Sequence, residues 1–362
     1  MAEPASDEPR FTLGRSLLYS AILIALVFGM VEGALRIYVY NFRAPAERFD
    51  LSTGTFELRP GTYSRPNSDP IVVNSRGFVG PEFQDPPPTG TLRIVNVGDS
   101  CTFGGGGLRD TYPARLSELL AGGSDGRRFQ VINAAIDGLN SELALRRLRS
   151  RVVPLAPDLV TIYIGWNDLM KFDPDGQVEN PRLALAARWL DRLWTVKALR
   201  KLLFYNLRPR LAPPRTGPES RTGRNADYRP AVFERNLREI IATARSIPAE
   251  VVVMTLPSVV SDDMSLEDLK RANVQFPYFR GANAVGDFVD LIAAYNRTVR
   301  RVALEEGVVL IDLARAIDGR PDRRELFLDA MHANPAGLEL IADEIARELR
   351  ASGVLDRLRE RA

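Results

Sequence analysis

Leu92-Arg93-Ile94-Val95-Asn96-Val97 is a short, largely apolar run that stops abruptly at Gly98-Asp99-Ser100. A run of this length ending in a turn reads as a buried strand. In an open α/β sheet, ligands bind beyond the carboxyl ends of the strands, so Ser100 would be presented where chemistry is done. A plainer reading of the same residues is a helix cap, a role that Asp and Ser often fill. His332, in Asp329-Ala330-Met331-His332, is the single histidine among 362 residues. A serine is a weak nucleophile until a base takes its proton, and histidine suits that task best near neutral pH.

Two further apolar runs end in small polar residues. Phe129 to Asn133 leads into Ala134-Ala135-Ile136-Asp137-Gly138, and Asp158 to Ile164 leads into Gly165-Trp166-Asn167-Asp168. Acyl transfer needs donors aimed at the developing oxyanion, and the Gly138 N–H and Asn167 amide are suitable groups. Singly, each is also an ordinary turn residue. Strands near Ile94, Val131, Val160, Val252 and Val309 alternate with helical stretches at Tyr112 to Leu120, Ser141 to Arg151, Phe233 to Arg245 and Phe288 to Glu305. A last helix follows Asn334-Pro335 through Leu338, Leu340, Ile341 and Ile345. This alternation predicts a parallel sheet with helices on both faces.

Composition narrows the chemistry. With 45% hydrophobic residues, the chain can bury one large core plus appendages. A net charge of +2 leaves no footprint for nucleic acid. One histidine and one cysteine cannot supply the three or four N or S ligands of a usual zinc site, so no metal is expected. Gly104 to Gly107 lacks the following Lys-Ser or Lys-Thr of a P-loop and the spacing of a dinucleotide fingerprint. It reads as a loop edging the site, and no cofactor is expected.

Taken in order, Gly98-Asp99-Ser100, Asn133 to Gly138, Gly165-Trp166-Asn167-Asp168 and Asp329 to His332 resemble the four blocks of the SGNH branch of the GDSL hydrolase family. Each block is weak alone, whereas the ordered set is specific. The resemblance covers roughly Leu92 to Leu349. It implies an SGNH-hydrolase-like, flavodoxin-like α/β three-layer sandwich with a central parallel sheet. It also implies Ser100 as nucleophile, His332 as general base and then acid, and Asp329 as the carboxylate that orients the ring. The oxyanion hole would comprise the backbone N–H groups of Ser100 and Gly138 and the Asn167 side chain. Leu338 stands where many relatives carry a second histidine, which touches no catalytic role. Cys101 offers a rival thiol, but the family pattern places the chemistry on serine, and a lone cysteine is often a small apolar residue.

Ser16 to Leu35 is a 20-residue stretch whose only charge is Glu32. That length crosses a bilayer core of about 30 Å. A cleaved signal peptide is the nearest rival, but no convincing small-residue cleavage site follows. Arg10 and Arg15 precede the stretch while Arg36, Arg43 and Arg48 follow it, so flanking charge does not fix the orientation. Similarity to anchored family members implies a single-pass membrane protein with an extracytoplasmic catalytic domain. The lone cysteine is neutral on redox compartment.

The expected division is an N-terminal tail at 1–15, a transmembrane anchor at 16–35, a juxtamembrane segment at 36–91, and a hydrolase domain at 92–355 with an insertion at 170–230. Within the juxtamembrane segment, Ile71 to Phe78 reads as a short strand and turn that either packs beside the site or belongs to a passive spacer. In the insertion, Leu185, Trp189, Leu190, Leu193, Val196, Leu199 and Leu203 fall on one helical face, with Arg188, Arg192, Lys197, Arg200 and Lys201 mostly opposite. Such a helix lies in a membrane interface, covers a site as a lid, or packs on the domain body. Pro213 to Pro230 reads as a mobile polar loop.

These features predict a membrane-attached serine hydrolase that cleaves lipid-like or small esters through an acyl-enzyme, with the membrane met through the N-terminal helix. The alternative is an O-acetyl esterase or O-acetyltransferase acting on an acetylated envelope glycan. A lid and an apolar pocket favour the first, and an open cleft lined with aromatic and polar groups favours the second. From another class comes a non-catalytic envelope assembly or glycan-binding protein that keeps the fold. Intact Ser100, Asn167, Asp329 and His332 argue against it.

Overall fold

From Leu13 to Phe42 the chain contains no proline and is dominated by Leu, Ile, Ala and Val, and it forms one 30-residue helix, α1. The computed structural model describes residues 13–42, 47–50, 52–65, 68–104, 111–122, 128–170, 190, 193–207, 211–223, 225–274 and 284–361. The chain divides into two compact units, one made of residues 1–43 and 177–207, the other of 44–176 and 208–362.

The larger unit opens with two antiparallel pairs, β1 (Glu47–Asp50) with β2 (Thr55–Leu58) and β3 (Gly61–Arg65) with β4 (Ser68–Val73). Its centre is a five-stranded parallel sheet of β5 (Thr91–Gly98), β6 (Arg128–Asn133), β7 (Leu159–Tyr163), β8 (Glu250–Met254) and β9 (Val309–Ile311). These are the five apolar runs expected from the sequence. Their spatial order, β6-β5-β7-β8-β9, is 2-1-3-4-5 in order of appearance, the flavodoxin-like arrangement. The order reverses between β5 and β7, so the crevice for a ligand opens where those two strands end.

Every residue of β5 after Thr91 and every residue of β7 is buried. Parallel strands read as continuous apolar runs because helices cover both faces. The covering helices include α3 (Tyr112–Ala121), α4 (Ser141–Arg147), α7 (Ala231–Ala244), α8 (Val285–Glu306) and α9 (Pro335–Ala351); the one-turn helix α2 (Ser100–Phe103) precedes them, and the one-turn helix α5 (Trp166–Leu169) and, in the smaller unit, α6 (Trp194–Lys201) lie between α4 and α7. Helix α3 packs with α9, and α7 packs with α4 and α8, giving helix, sheet and helix layers. Helix α9 starts at the expected boundary, where Asn334 accepts the Gly337 N–H at 3.0 Å and Pro335 takes the first turn. The helix expected to run to Arg151 changes character after Arg147, continuing as a π-turn over Leu148–Val152. Pro154 has no N–H for the Ser150 carbonyl, so the regular ladder cannot continue there.

Polar groups inside the sheet fix the heights of the strand ends. Asn96 donates to the Ile132 carbonyl at 3.2 Å and accepts the Thr161 hydroxyl at 2.7 Å, joining β5 to both neighbours in a fully buried position. Buried polar side chains of this kind are retained when every partner is present.

Of the segment expected to be juxtamembrane, residues 36–43 fall in the smaller unit and 44–91 in the larger one. Ile71 to Phe78 is packed against the sheet, and none of its residues lines the cleft that holds Ser100. Phe78 is buried, and Val79 bridges both Val73 and Asn133. Arg147, with no exposed side-chain surface, donates to the carbonyls of Ala134 (2.6 Å), Phe56 (3.2 Å) and Gly77 (3.4 Å) and pairs with Glu57 at 3.5 Å. Arg93 pairs with Asp85 at 2.9 Å and donates to the Gln84 carbonyl at 2.8 Å. Two buried guanidinium groups therefore fasten this stretch to the sheet.

The insertion departs from the expected single helical face. Leu185 and Trp189 lie outside the described residues, as does most of Gly104 to Gly107. Leu193 is extended, and α6 starts only at Trp194, so no continuous helix runs through 193. The start is set by Glu32 of α1, whose carboxylate accepts the backbone N–H groups of Trp194 (3.1 Å) and Thr195 (2.8 Å). The loop expected to be mobile is bonded to the start of α8: Thr222 donates from its N–H (2.8 Å) and hydroxyl (2.7 Å) to Asp287, and Ser220 accepts the Gly286 N–H at 3.0 Å.

Candidate active site

The turn at the end of β5 depends on Gly98. A Cβ there would lie 1.9 Å from the Thr102 hydroxyl oxygen and 3.0 Å from the Tyr163 carbonyl oxygen, so no other residue allows the following turn to fold back so closely. Asp99 does cap α2, accepting the Cys101 N–H at 3.0 Å. The cap and the site are thus one feature, since the capped turn is what presents Ser100.

His332 is brought to that turn by a second one. Asp329 Oδ1 accepts the N–H groups of Met331 (3.0 Å) and His332 (2.9 Å), while Oδ2 lies 2.8 Å from the ring Nδ1. The opposite ring nitrogen, Nε2, lies 2.8 Å from Ser100 Oγ. An ionised carboxylate only accepts, so Nδ1 carries the proton and Nε2 is left to accept from the serine hydroxyl. The histidine loop is held from behind: Ser258 donates to the Ala330 carbonyl at 2.7 Å, and the Cys101 thiol donates to the Met331 carbonyl at 3.5 Å.

Electrostatics follow from this packing. Burial pulls the His332 pKa down, but the hydrogen bond and charge of Asp329, with Asp99 and Asp137 nearby, outweigh it and leave the ring above its usual value. Burial pushes the Asp329 carboxyl up, yet its bond to His332 and the two backbone N–H groups bring it below the usual value. Burial raises Asp99 to about 7 despite its capping bond. The Cys101 thiol is pushed well above its ordinary value, first by burial and then by the Asp99 charge. A thiol held protonated and buried is a poor nucleophile.

Ser100, Asp329 and His332 line one cleft of about 260 Å³, together with Phe103, Asp137, Leu328 and Leu338. Asn167 and Gly138 are not among its lining residues. Asn167 is nevertheless tied to the same turn, with its amide donating to the Leu139 carbonyl at 3.2 Å and to Asp99 Oδ2 at 3.4 Å. Gly138 has a positive φ of 74° and lies between cleft-lining Asp137 and that Leu139 carbonyl. Asp168 reaches across to α4, accepting the Ser141 N–H (2.8 Å) and hydroxyl (2.5 Å), and Asn236 donates to that hydroxyl at 2.8 Å. The sequence reading missed the supporting work of Asp168, Ser141, Asn236 and Ser258. Asp168 had a signal, since it directly follows Asn167, whereas Ser258 had none.

The fold and this constellation have the form of an α/β ester hydrolase. The family model described as "GDSL-like Lipase/Acylhydrolase family" matches residues 97–340, and the chain belongs to that family of ester hydrolases. The resemblance read from the four blocks is therefore borne out. A search of curated proteins found no match. Among solved structures, the chain is similar to a lipase/acylhydrolase from Enterococcus faecalis (20% identity, 72% of this chain and 96% of that one, TM-score 0.44). It is also similar to an acetyl xylan esterase, AlAXEase (20% identity, 70% and 98%, TM-score 0.42), and to the acetylxylan esterase Axe2 from Geobacillus stearothermophilus (17% identity, 71% and 94%, TM-score 0.44).

Proposed function

We propose that the protein cleaves esters by a serine route in which Ser100 is acylated and water, or another hydroxyl acceptor, then takes the acyl group. The observation that carries this reading is the unbroken chain of 2.8 Å contacts from Asp329 to His332 to Ser100, opening on a cleft. His332 Nε2 accepts the Ser100 proton as Oγ attacks the ester carbonyl and returns it to the departing alkoxide. Asp329 keeps the ring in the tautomer required and offsets its positive charge while it holds the proton. The Ser100 and Gly138 N–H groups and the Asn167 amide are assigned to the oxyanion. The same steps in reverse roles release the acyl group.

A cleft of about 260 Å³ is small for a ligand site and suits an acetyl or other short acyl group better than a long chain. The preferred substrates are therefore short-chain esters, including acetyl groups on a glycan. We also assign the protein to a membrane through Leu13–Tyr38, on the length and composition of that helix; the extracytoplasmic side of the catalytic unit rests on the resemblance to anchored family members alone. A fluorophosphonate probe tests the nucleophile: Ser100→Ala should abolish labelling, and Cys101→Ala should retain it. Labelling that follows Cys101 would overturn the assignment. Release of acetate from acetylated glycan, with and without an added acceptor, separates hydrolysis from transfer.

A further inference from the structure

Glu32 is the only charge between Ser16 and Leu35, and its side chain is 11% exposed on a helix whose other faces are open, as at Leu23 (62%) and Ile24 (68%). What covers it is the start of α6. The carboxylate accepts the N–H groups of Trp194 and Thr195, the Thr195 hydroxyl at 2.9 Å and Arg36 Nε at 2.8 Å. An acidic side chain in an apolar span is costly unless partnered, and here four donors share its two oxygens.

The depth of this contact follows from helix geometry. At 1.5 Å per residue, Glu32 lies about 29 Å along α1 from Leu13, and a bilayer hydrocarbon core is about 30 Å thick. With the start of α1 at one boundary, Glu32 and the first turn of α6 lie at the other. Trp194 is there, with the Lys197 ammonium 4.4 Å from its ring centre, and Trp and Lys are residues that favour this depth. Beyond them Leu199 (52%), Leu202 (47%), Leu203 (44%) and Leu207 (39%) are all exposed large apolar side chains. So many in nine residues mark a surface built to meet something other than water.

We propose that residues 194–207 lie in the membrane–water interface, with these leucines in lipid and Glu32 fastening the segment to the membrane helix. The proposal rests on the reading of α1 as an anchor. Lys197, Arg200 and Lys201 in the same stretch suit anionic headgroups, which makes a lipid surface the favoured occupant over a protein partner. The protein then meets the bilayer through two elements, one crossing it and one lying in it.

The test uses the full-length chain reconstituted in vesicles of phosphatidylcholine and phosphatidylglycerol. Because Cys101 is the single cysteine, a Cys101→Ala background gives a unique labelling site for an environment-sensitive fluorophore at Leu203→Cys or Leu23→Cys. Nitroxide lipids then report depth. Leu203 should lose fluorescence to a nitroxide near the headgroup, and Leu23 to one deep in the acyl chain. Adding Glu32→Ala should abolish the loss at Leu203 and keep it at Leu23; an unchanged loss at Leu203 would overturn the fastening role. Quenching at Leu23 without quenching at Leu203 would overturn the interfacial placement while leaving the anchor intact, whether the label stays in water or shifts to the blue under a protein partner. No quenching at Leu23 would remove the anchor reading and this proposal with it.

Discussion

His332 Nε2 lies 2.8 Å from Ser100 Oγ across 232 positions of sequence, and Asp329 lies 2.8 Å from the other ring nitrogen from only three positions away. The two halves of the constellation are thus built differently. Asp329 and His332 are prearranged by a local turn, whereas their meeting with Ser100 requires β5 and the loop before α9 to be held in register by the whole sheet.

The ring of the single histidine must be neutral to accept the serine proton, so kcat/KM should rise with pH as His332 loses its proton, a step coupled to the ionisation of Asp99 at about 7. Because Asp329 holds His332 above its usual value, the midpoint should lie above about 6.5. Asp329→Asn should move it down and slow turnover. An imidazole NMR titration of the same protein should give the same midpoint, and retention of near-normal ester cleavage by His332→Ala would defeat the proton-transfer scheme.

The oxyanion assignment predicts a loss confined to turnover. Asn167→Ala should lower kcat by about 100 to 1000-fold with little change in KM. Asp168→Asn should give a smaller loss of the same kind, since Asp168 acts through its Ser141 contacts on the neighbouring residue's position. Steady-state kinetics on an acetyl ester checks both, and a change mainly in KM would point to substrate binding instead.

Asp99 should cost stability as pH rises. Its folded pKa, about 7, lies above the unfolded value of about 3.9. Below the lower value both states are protonated and no cost arises. Between the two, the unfolded chain ionises while the buried carboxyl does not, so stability falls with pH and then levels off. Asp99→Asn should therefore gain melting temperature relative to the parent as pH goes from 4 to 7, by a few degrees. The same change should lower the His332 limb, because the Asp99 charge supports the protonated ring. A melting difference independent of pH would rule out the buried-carboxyl account.

Arg147 holds three carbonyl groups and Glu57 at a fully buried position. Removing one partner of such a cluster leaves the others unpaired, so Arg147→Ala should destabilise the protein by about 3 to 5 kcal/mol. Urea unfolding of the variant measures this. A loss under about 1 kcal/mol would mean that residues 54–78 are not fastened as described.

Much of this was legible in the sequence because it is encoded locally. A buried parallel strand needs a continuous apolar run, and a turn at its end needs small polar residues, so β5 to β9 and the blocks around Ser100, Gly138 and Asn167 could be read directly. The single histidine and the Asp329 spacing pointed to a base and its partner by counting and by family pattern. The apolar stretch around α1 was visible for the same reason, since length and hydropathy are properties of one segment.

Tertiary structure decided what depends on partners distant in sequence. The place where α6 begins is set by Glu32, more than 160 positions earlier, so helical periodicity carried the segment through Leu193 where the chain is in fact extended. Whether Ile71 to Phe78 packs or belongs to a spacer stayed open in the sequence because the charges that fasten this region, Arg93 and Arg147, lie on a strand and a helix elsewhere and are indistinguishable in sequence from solvated ones. The direction of the His332 shift was open for the same reason: burial and a neighbouring carboxylate oppose each other, and only the folded distances say which prevails.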